Sequence, residues 1–257
     1  MTIDGPALQV RGIPAGEIVS LTPREAAMLA ATGELPAAST RAAFDTLLAD
    51  TVAGARLAAA IRACDDAVDR ILTEGGDSAA DLARTFLTLT VGTAHWDDLI
   101  NATTEAAEAA SWIATLRANT VDQAVDTSLR LRGRVPGFGH PRMVGLDPRF
   151  VAIHAVAMRT LANDETIRAM HTAAIEAPAR IAARTHQHDP TRLLPNLYLP
   201  LGVGLAATGL APAVHAARLA DAARETCDAA EAVAAAIAHG GPMTSAPGRG
   251  KNHGHDG

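Results

Sequence analysis

Ala, Leu, Ile and Val recur at spacings of three and four residues along almost the whole chain, and nowhere is the strict alternation of a half-buried strand sustained. Such spacing puts one apolar stripe on each helix and no apolar face on a sheet, so the fold class is all-α. The periodic stretches lie near residues 40–74, 78–93, 101–117, 121–132, 149–162, 164–186, 197–208 and 212–239. A further helix is marked by its ends: Thr22 reads as an N-cap, Pro23 as the first helical residue and Gly33 as the closing glycine. Only Leu8 to Arg11 reads as a short strand or extended segment. Loops are expected at Gly75-Gly76, 133–145, 186–195 and 209–212. With aromatic residues at 3% and hydrophobic ones at 48%, the core has to be aliphatic and small, which lets helices approach closely. The residues after Gly240 are rich in Gly, Pro and polar types. The expected organisation is therefore one helical domain over 1–240 and a disordered tail over 241–257.

Several function classes recede on composition. A net charge of −6 does not suit a general nucleic-acid binder, which needs a basic surface. No apolar run reaches the roughly 18 residues that span a bilayer, and Asp4 stands where a signal peptide carries basic residues, so no membrane partner is expected and the cytoplasm is the default location. Cys64 and Cys227 are too few for a disulfide framework. His253 and His255 in the tail lack the further ligands that a metal site requires, so no metal is expected.

Residues 134–149 read RVPGFGHPRMVGLDPR. Pro136, Gly137 and Gly139 rule out a regular helix there, and His140 follows at once, placing a group that titrates near neutrality on a shaped turn. Asp147-Pro148-Arg149 then supplies a guanidinium fork suited to a carboxylate. A Gly/Pro interhelical loop with a solvated histidine accounts for the same residues.

Pro-Gly-Phe-Gly-His followed by Asp-Pro-Arg resembles the signature of the citrate synthase family. Arg11-Gly12-Ile13-Pro14 and Thr32-Gly33-Glu34-Leu35-Pro36 resemble that family's N-terminal elements, and Leu194-Pro195-Asn196 resembles its Pro-Asn-Val-Asp segment. The similarity spans most of residues 5–240. The chain is shorter than full citrate synthases and lacks their His-Ala-Asp-His-Glu region, so in length it is closer to the compact citryl-CoA lyases, relatives that also form the C-terminal part of ATP-citrate lyase. This resemblance implies a large and a small helical subdomain, a homodimer or a heteromer with a paralogue, and sites near the subunit interface. It also implies a small carboxylic acid or acyl-CoA as ligand, with a CoA thioester as co-substrate and no tightly bound cofactor.

By the same resemblance, His140 takes the place of the histidine that holds the oxo or hydroxyl oxygen. Arg149 takes the place of a carboxylate-binding arginine, and Asn196 lies in the substrate-binding segment. Arg224 falls where the family has a second such arginine, with Arg218 nearby and an ordinary helix-surface role equally open. Arg134, Gly137 and Gly139 stand where CoA is bound, and Arg132 and Arg142 flank them; a solvated charged loop explains these arginines equally well.

Two positions depart from the family. Ile100-Asn101-Ala102 replaces the element whose histidine donates to the thioester oxygen, with His95 either a substitute or a structural residue. Tyr198 replaces the aspartate that serves as general base, and a phenol with a reference pKa of about 10 is a poor base at neutral pH, though it can donate a proton. Three readings follow from these residues. The first is a diverged C–C lyase or Claisen-type enzyme on a citryl-CoA-like polycarboxylate acyl-CoA, with His140 and Tyr198 as its catalytic pair. The second is a catalytically silent paralogue or partner subunit that binds an acid or acyl-CoA. The third is a helical interaction protein.

Overall fold

The computed structural model describes residues 9–10, 13–93, 99, 101–139, 145–185 and 189–239. Two short strands, β1 (Gln9–Val10) and β2 (Ile13–Pro14), pair antiparallel. Among the described residues ten α-helices follow: α1 Ala15–Val19, α2 Pro23–Thr32, α3 Ala38–Asp50, α4 Val52–Thr93, α5 Ala102–Thr115, α6 Val121–Arg132, α7 Pro148–Thr160, α8 Glu165–Thr185, α9 Tyr198–Ala207 and α10 Pro212–Ala238. A 3-10 turn, Pro190–Leu193, precedes α9. The protein is all-α in its architecture. Leu8 and Arg11, which the expected strand includes, and the tail from residue 240 lie outside the described residues.

Local chemistry sets many of the helix ends. Thr22 Oγ1 accepts from the Glu25 amide at 3.2 Å while the Glu25 carboxylate accepts from the Thr22 amide at 2.9 Å, a reciprocal cap that contributes about 1 kcal/mol. Thr120 and Gln123 repeat the device at the start of α6. Two boundaries differ from the periodic reading. The stretch expected as one helix over 40–74 is broken at Thr51, whose backbone is extended (φ −126°, ψ 151°). Its hydroxyl donates to the Leu47 carbonyl and accepts from the Gly54 amide at 2.8 Å, so one side chain ends α3 and caps α4. The loop expected at Gly75-Gly76 is instead a kink within α4 at Gly76 (φ 77°, ψ −174°).

Buried side chains from α2 through α10 form one continuous core dominated by Ala, Leu, Val and Ile. Its axis is the packing of α10 along α4, and α5, α7 and α9 gather against the same pair. A smaller cluster of Ile18, Leu29 and Leu89 fixes α1 against α2 and α4. On the other side, Arg180 and Arg184 of α8 pair with Asp122 and Asp126 of α6. This strap joins α6, at whose end the glycine-rich turn begins, to α8. Among the described residues, no helix is long and apolar enough to cross a membrane.

Candidate active site

The turn after α6 is shaped before it meets any ligand. Gly133 closes the helix in the left-handed region (φ 70°), and Ser128 Oγ donates to the Arg134 carbonyl at 2.8 Å. Gly137 and Gly139 both have positive φ, 82° and 78°, which side chains with a Cβ adopt only under strain. At Gly137 space is also short, because a Cβ there would sit 2.9 Å from Leu199 Cβ. Between the two glycines, Phe138 sets its ring edge-on to Trp112 of α5, with centroids 5.4 Å apart.

The turn runs alongside the segment before α9. The Gly139 amide donates to the Leu194 carbonyl and the Asn196 amide to the Gly137 carbonyl, each at 2.9 Å, with Phe138 and Pro195 paired antiparallel between them. Asn196 adds its side chain: Nδ2 donates to the Gly139 carbonyl and Oδ1 accepts from the Tyr198 amide, both at 3.0 Å. Farther along, the Gly145 amide donates to the Thr191 carbonyl at 3.2 Å. Gly139 and Gly145, on either side of residues 140–144, thus anchor to the same short segment. His140, Arg142, Ile100 and His95 lie outside the described residues.

Arg149 is in the first turn of α7 and is 2% exposed. Asp147, also buried, caps α7 by accepting from the Arg149 amide at 2.9 Å and takes two donors of the guanidinium, Nε and Nη2, each at 3.2 Å. A carboxylate so placed orients the fork and offsets its buried charge. Tyr198 opens α9 and is 6% exposed within the main core. Nearby Asp189 is committed too: Thr191 donates to it from its hydroxyl and its amide, and these bonds hold the carboxyl below the usual carboxylate range.

Beside the turn lies a cavity of about 310 Å³ lined by Leu129, Val135, Phe138, Ile181, Thr185 and Leu193, with Arg134 at its edge. Its walls are about equally polar and apolar, and it adjoins the turn at Gly133 and Phe138.

Both segments of this corner fall inside a stretch, residues 102–224, that matches the model of the citrate synthase C-terminal domain. This stretch belongs to the citrate synthase family. A solved structure of citryl-CoA lyase from Hydrogenobacter thermophilus aligns over 96% of this chain and 89% of its own at 16% identity, with a TM-score of 0.40. No curated protein sequence matches the chain.

Within the citrate synthase stretch the structure brings together Gly137, Gly139, Asn196 and the start of α9, and the other described candidate cations are engaged in ion pairs. Arg134 pairs with Glu105 and Glu108 of α5, and Arg132 also pairs with Glu108 at 3.1 Å. Arg224, half exposed on α10, pairs with Asp221 one turn earlier at 2.8 Å. Arg218 lies toward the start of α10 with His215 and Glu74. Sequence reading passed over Trp112 and Ser128, which hold the turn in place; Trp112 is one of only two tryptophans, and that rarity was the available signal. Among the described residues, no group of three or more His, Cys, Asp or Glu is placed to hold a metal ion.

Proposed function

We propose that this chain is a citrate synthase-family lyase of the compact citryl-CoA lyase type, cleaving a C–C bond in a citryl-CoA-like polycarboxylate acyl-CoA. The observation that carries this reading is the hydrogen-bonded union of the glycine turn with the Asn196 segment. Two motif elements 57 residues apart in sequence share one corner, and Arg149 is paired with Asp147 at the head of α7. In the cleavage direction, His140 takes the proton of the tertiary hydroxyl and that oxygen becomes an oxo group. The electrons of the breaking C–C bond pass to the carbon next to the thioester carbonyl and onto its oxygen as an enolate, whose carbon then needs a proton. A phenol suits that last step, since it is an acid where the family's aspartate is a base. Tyr198 is the proton donor in this reading. Arg149 holds a carboxylate of the oxo acid, Arg224 contributes a second cation, and the cavity lined by Arg134, with the turn at Gly137 and Gly139, accommodates part of the CoA. The co-substrate is a CoA thioester, and no tightly bound cofactor is invoked.

A second reading, a silent acid- or acyl-CoA-binding paralogue or partner subunit, is favoured by one specific observation. Asp147, Asp189 and Asp221 are each committed to a neighbouring residue, and Tyr198 rather than an aspartate stands two residues after Asn196. Thermal-shift titration with CoA, acetyl-CoA, oxaloacetate and citrate tests both, because a ligand of the native state raises stability in proportion to ln(1 + [L]/Kd). Stabilisation by both CoA and citrate is expected. Solvent exchange of the acetyl-CoA methyl protons separates the readings further: little exchange is expected in the wild type, and Tyr198→Asp restores it. Silence in Tyr198→Asp together with citrate binding selects the silent paralogue, and no thermal shift with any ligand overturns both.

A further inference from the structure

We infer that Asn196 is a positioning residue whose carboxamide fixes the place of Gly139, the residue before His140, relative to the first turn of α9, which carries Tyr198. Its catalytic consequence rests on the lyase reading; its geometry does not. A carboxamide offers donors on one atom and an acceptor on the other, and here each is used on a different segment. Nδ2 reaches the Gly139 carbonyl and Oδ1 the Tyr198 amide, both at 3.0 Å. The main chain of Asn196 is used as well, its amide donating to the Gly137 carbonyl at 2.9 Å and its carbonyl accepting from the Leu199 amide at 3.2 Å. The residue is 7% exposed. An asparagine whose amide nitrogen and oxygen bond the backbone of two different segments is a strut between two parts of a site.

The partners also fix which way the amide points. The Gly139 carbonyl requires a donor and the Tyr198 amide requires an acceptor, so the flipped amide loses both bonds. They explain the residue type too. A carboxylate here would set an acceptor against the Gly139 carbonyl, and an apolar side chain would leave two buried backbone groups unpaired, at a cost of about 1–3 kcal/mol each. A protonated carboxyl, however, has the donor and acceptor arrangement of the amide. Burial beside a carbonyl raises such a carboxyl above the ordinary value of about 4. Asn196→Asp therefore restores the strut as pH falls.

Tyr198 is the only tyrosine in the chain, so protein labelled with 3-fluorotyrosine gives one fluorine resonance that reports its surroundings alone. Wild type, Asn196→Asp and Asn196→Ser are compared at pH 8 and pH 5, with far-UV circular dichroism to verify folding and calorimetry to read citrate affinity. For Asn196→Asp the resonance is displaced at pH 8 and returns to the wild-type position at pH 5, and citrate affinity falls about tenfold at pH 8 and recovers at pH 5. Asn196→Ser, which retains an oxygen near the Tyr198 amide but has no reach to Gly139, is displaced at both pH values. It also carries the test if Asn196→Asp fails to fold at pH 8. A resonance unmoved in both variants overturns the inference, as does lost citrate affinity with an unmoved resonance, which is the signature of direct substrate binding. Absence of citrate binding by the wild type removes the lyase reading and leaves the fluorine arm to decide the positioning role by itself.

Discussion

The corner where the glycine turn meets the Asn196 segment and the face of α10 that carries Arg224 solve the same problem, the placement of polar groups, in opposite ways. At the corner, residues 57 positions apart are joined by backbone bonds, a buried carboxamide and two glycines at positive φ. On α10, Arg224 reaches only as far as Asp221, three residues back, and both side chains are more than half exposed. The first arrangement exists only in the folded chain. The second forms on any helix with that spacing and is screened by solvent. Burial thus separates polar groups that the fold depends on from those it merely displays.

The contrast sharpens most at the buried pair. Asp147→Ala breaks a buried ion pair with Arg149 and removes the α7 cap, so urea unfolding should show a loss of about 3–5 kcal/mol. A loss below about 1 kcal/mol would mean that the buried pair and the cap contribute no more than an exposed pair does. Acid is expected to have the next largest effect, through His154 on α7. This residue is 5% exposed, and its Nε2 lies 3.2 Å from His171 Nδ1. Burial, and then the neighbouring His171, depress its pKa from 6.5 to about 4. The unfolded chain therefore binds this proton first. Its contribution to stability is complete above pH 6.5 and is lost as pH falls toward 4, to a total of about 3 kcal/mol. The difference in unfolding free energy between wild type and His154→Gln should shift by that amount between pH 7 and pH 4; a difference that stays constant with pH would show that His154 accepts its proton in the folded state.

Gly137→Ala introduces a Cβ at positive φ and against Leu199, for an expected loss of about 2 kcal/mol, with a matching fall in the unfolding midpoint. The smallest effect belongs to α10. Asp221→Ala should change stability by no more than about 0.5 kcal/mol. A larger change there would erase the distinction between the two regions.

The same contrast governs how much was legible in the sequence. Thr22, Pro23 and Gly33 act on their own helix, so their roles could be read directly and the structure places them as caps. Pro136, Gly137 and Gly139 likewise announce a turn, because proline and glycine constrain the backbone wherever they occur. What that turn packs against is tertiary information. Only the family resemblance linked it to Leu194-Pro195-Asn196, and nothing local in Asn196 announces that its amide spans Gly139 and Tyr198. The break at Thr51 escaped a periodic reading because apolar spacing continues across it; the sign was a threonine three residues before Gly54. Asp147 was visible as a carboxylate near the histidine, but its burial against Arg149 depends on how α7 enters the core.

The central claim, that this corner cleaves a C–C bond, is tested most directly by supplying citryl-CoA and following oxaloacetate release by coupled oxidation of NADH. The wild-type protein should form oxaloacetate and acetyl-CoA in equal amounts, His140→Gln should lower the rate by about a hundredfold or more, and Asp221→Ala should leave it unchanged. Folded wild-type protein that releases no oxaloacetate above the uncatalysed rate, or a His140→Gln variant as fast as wild type, would contradict the account.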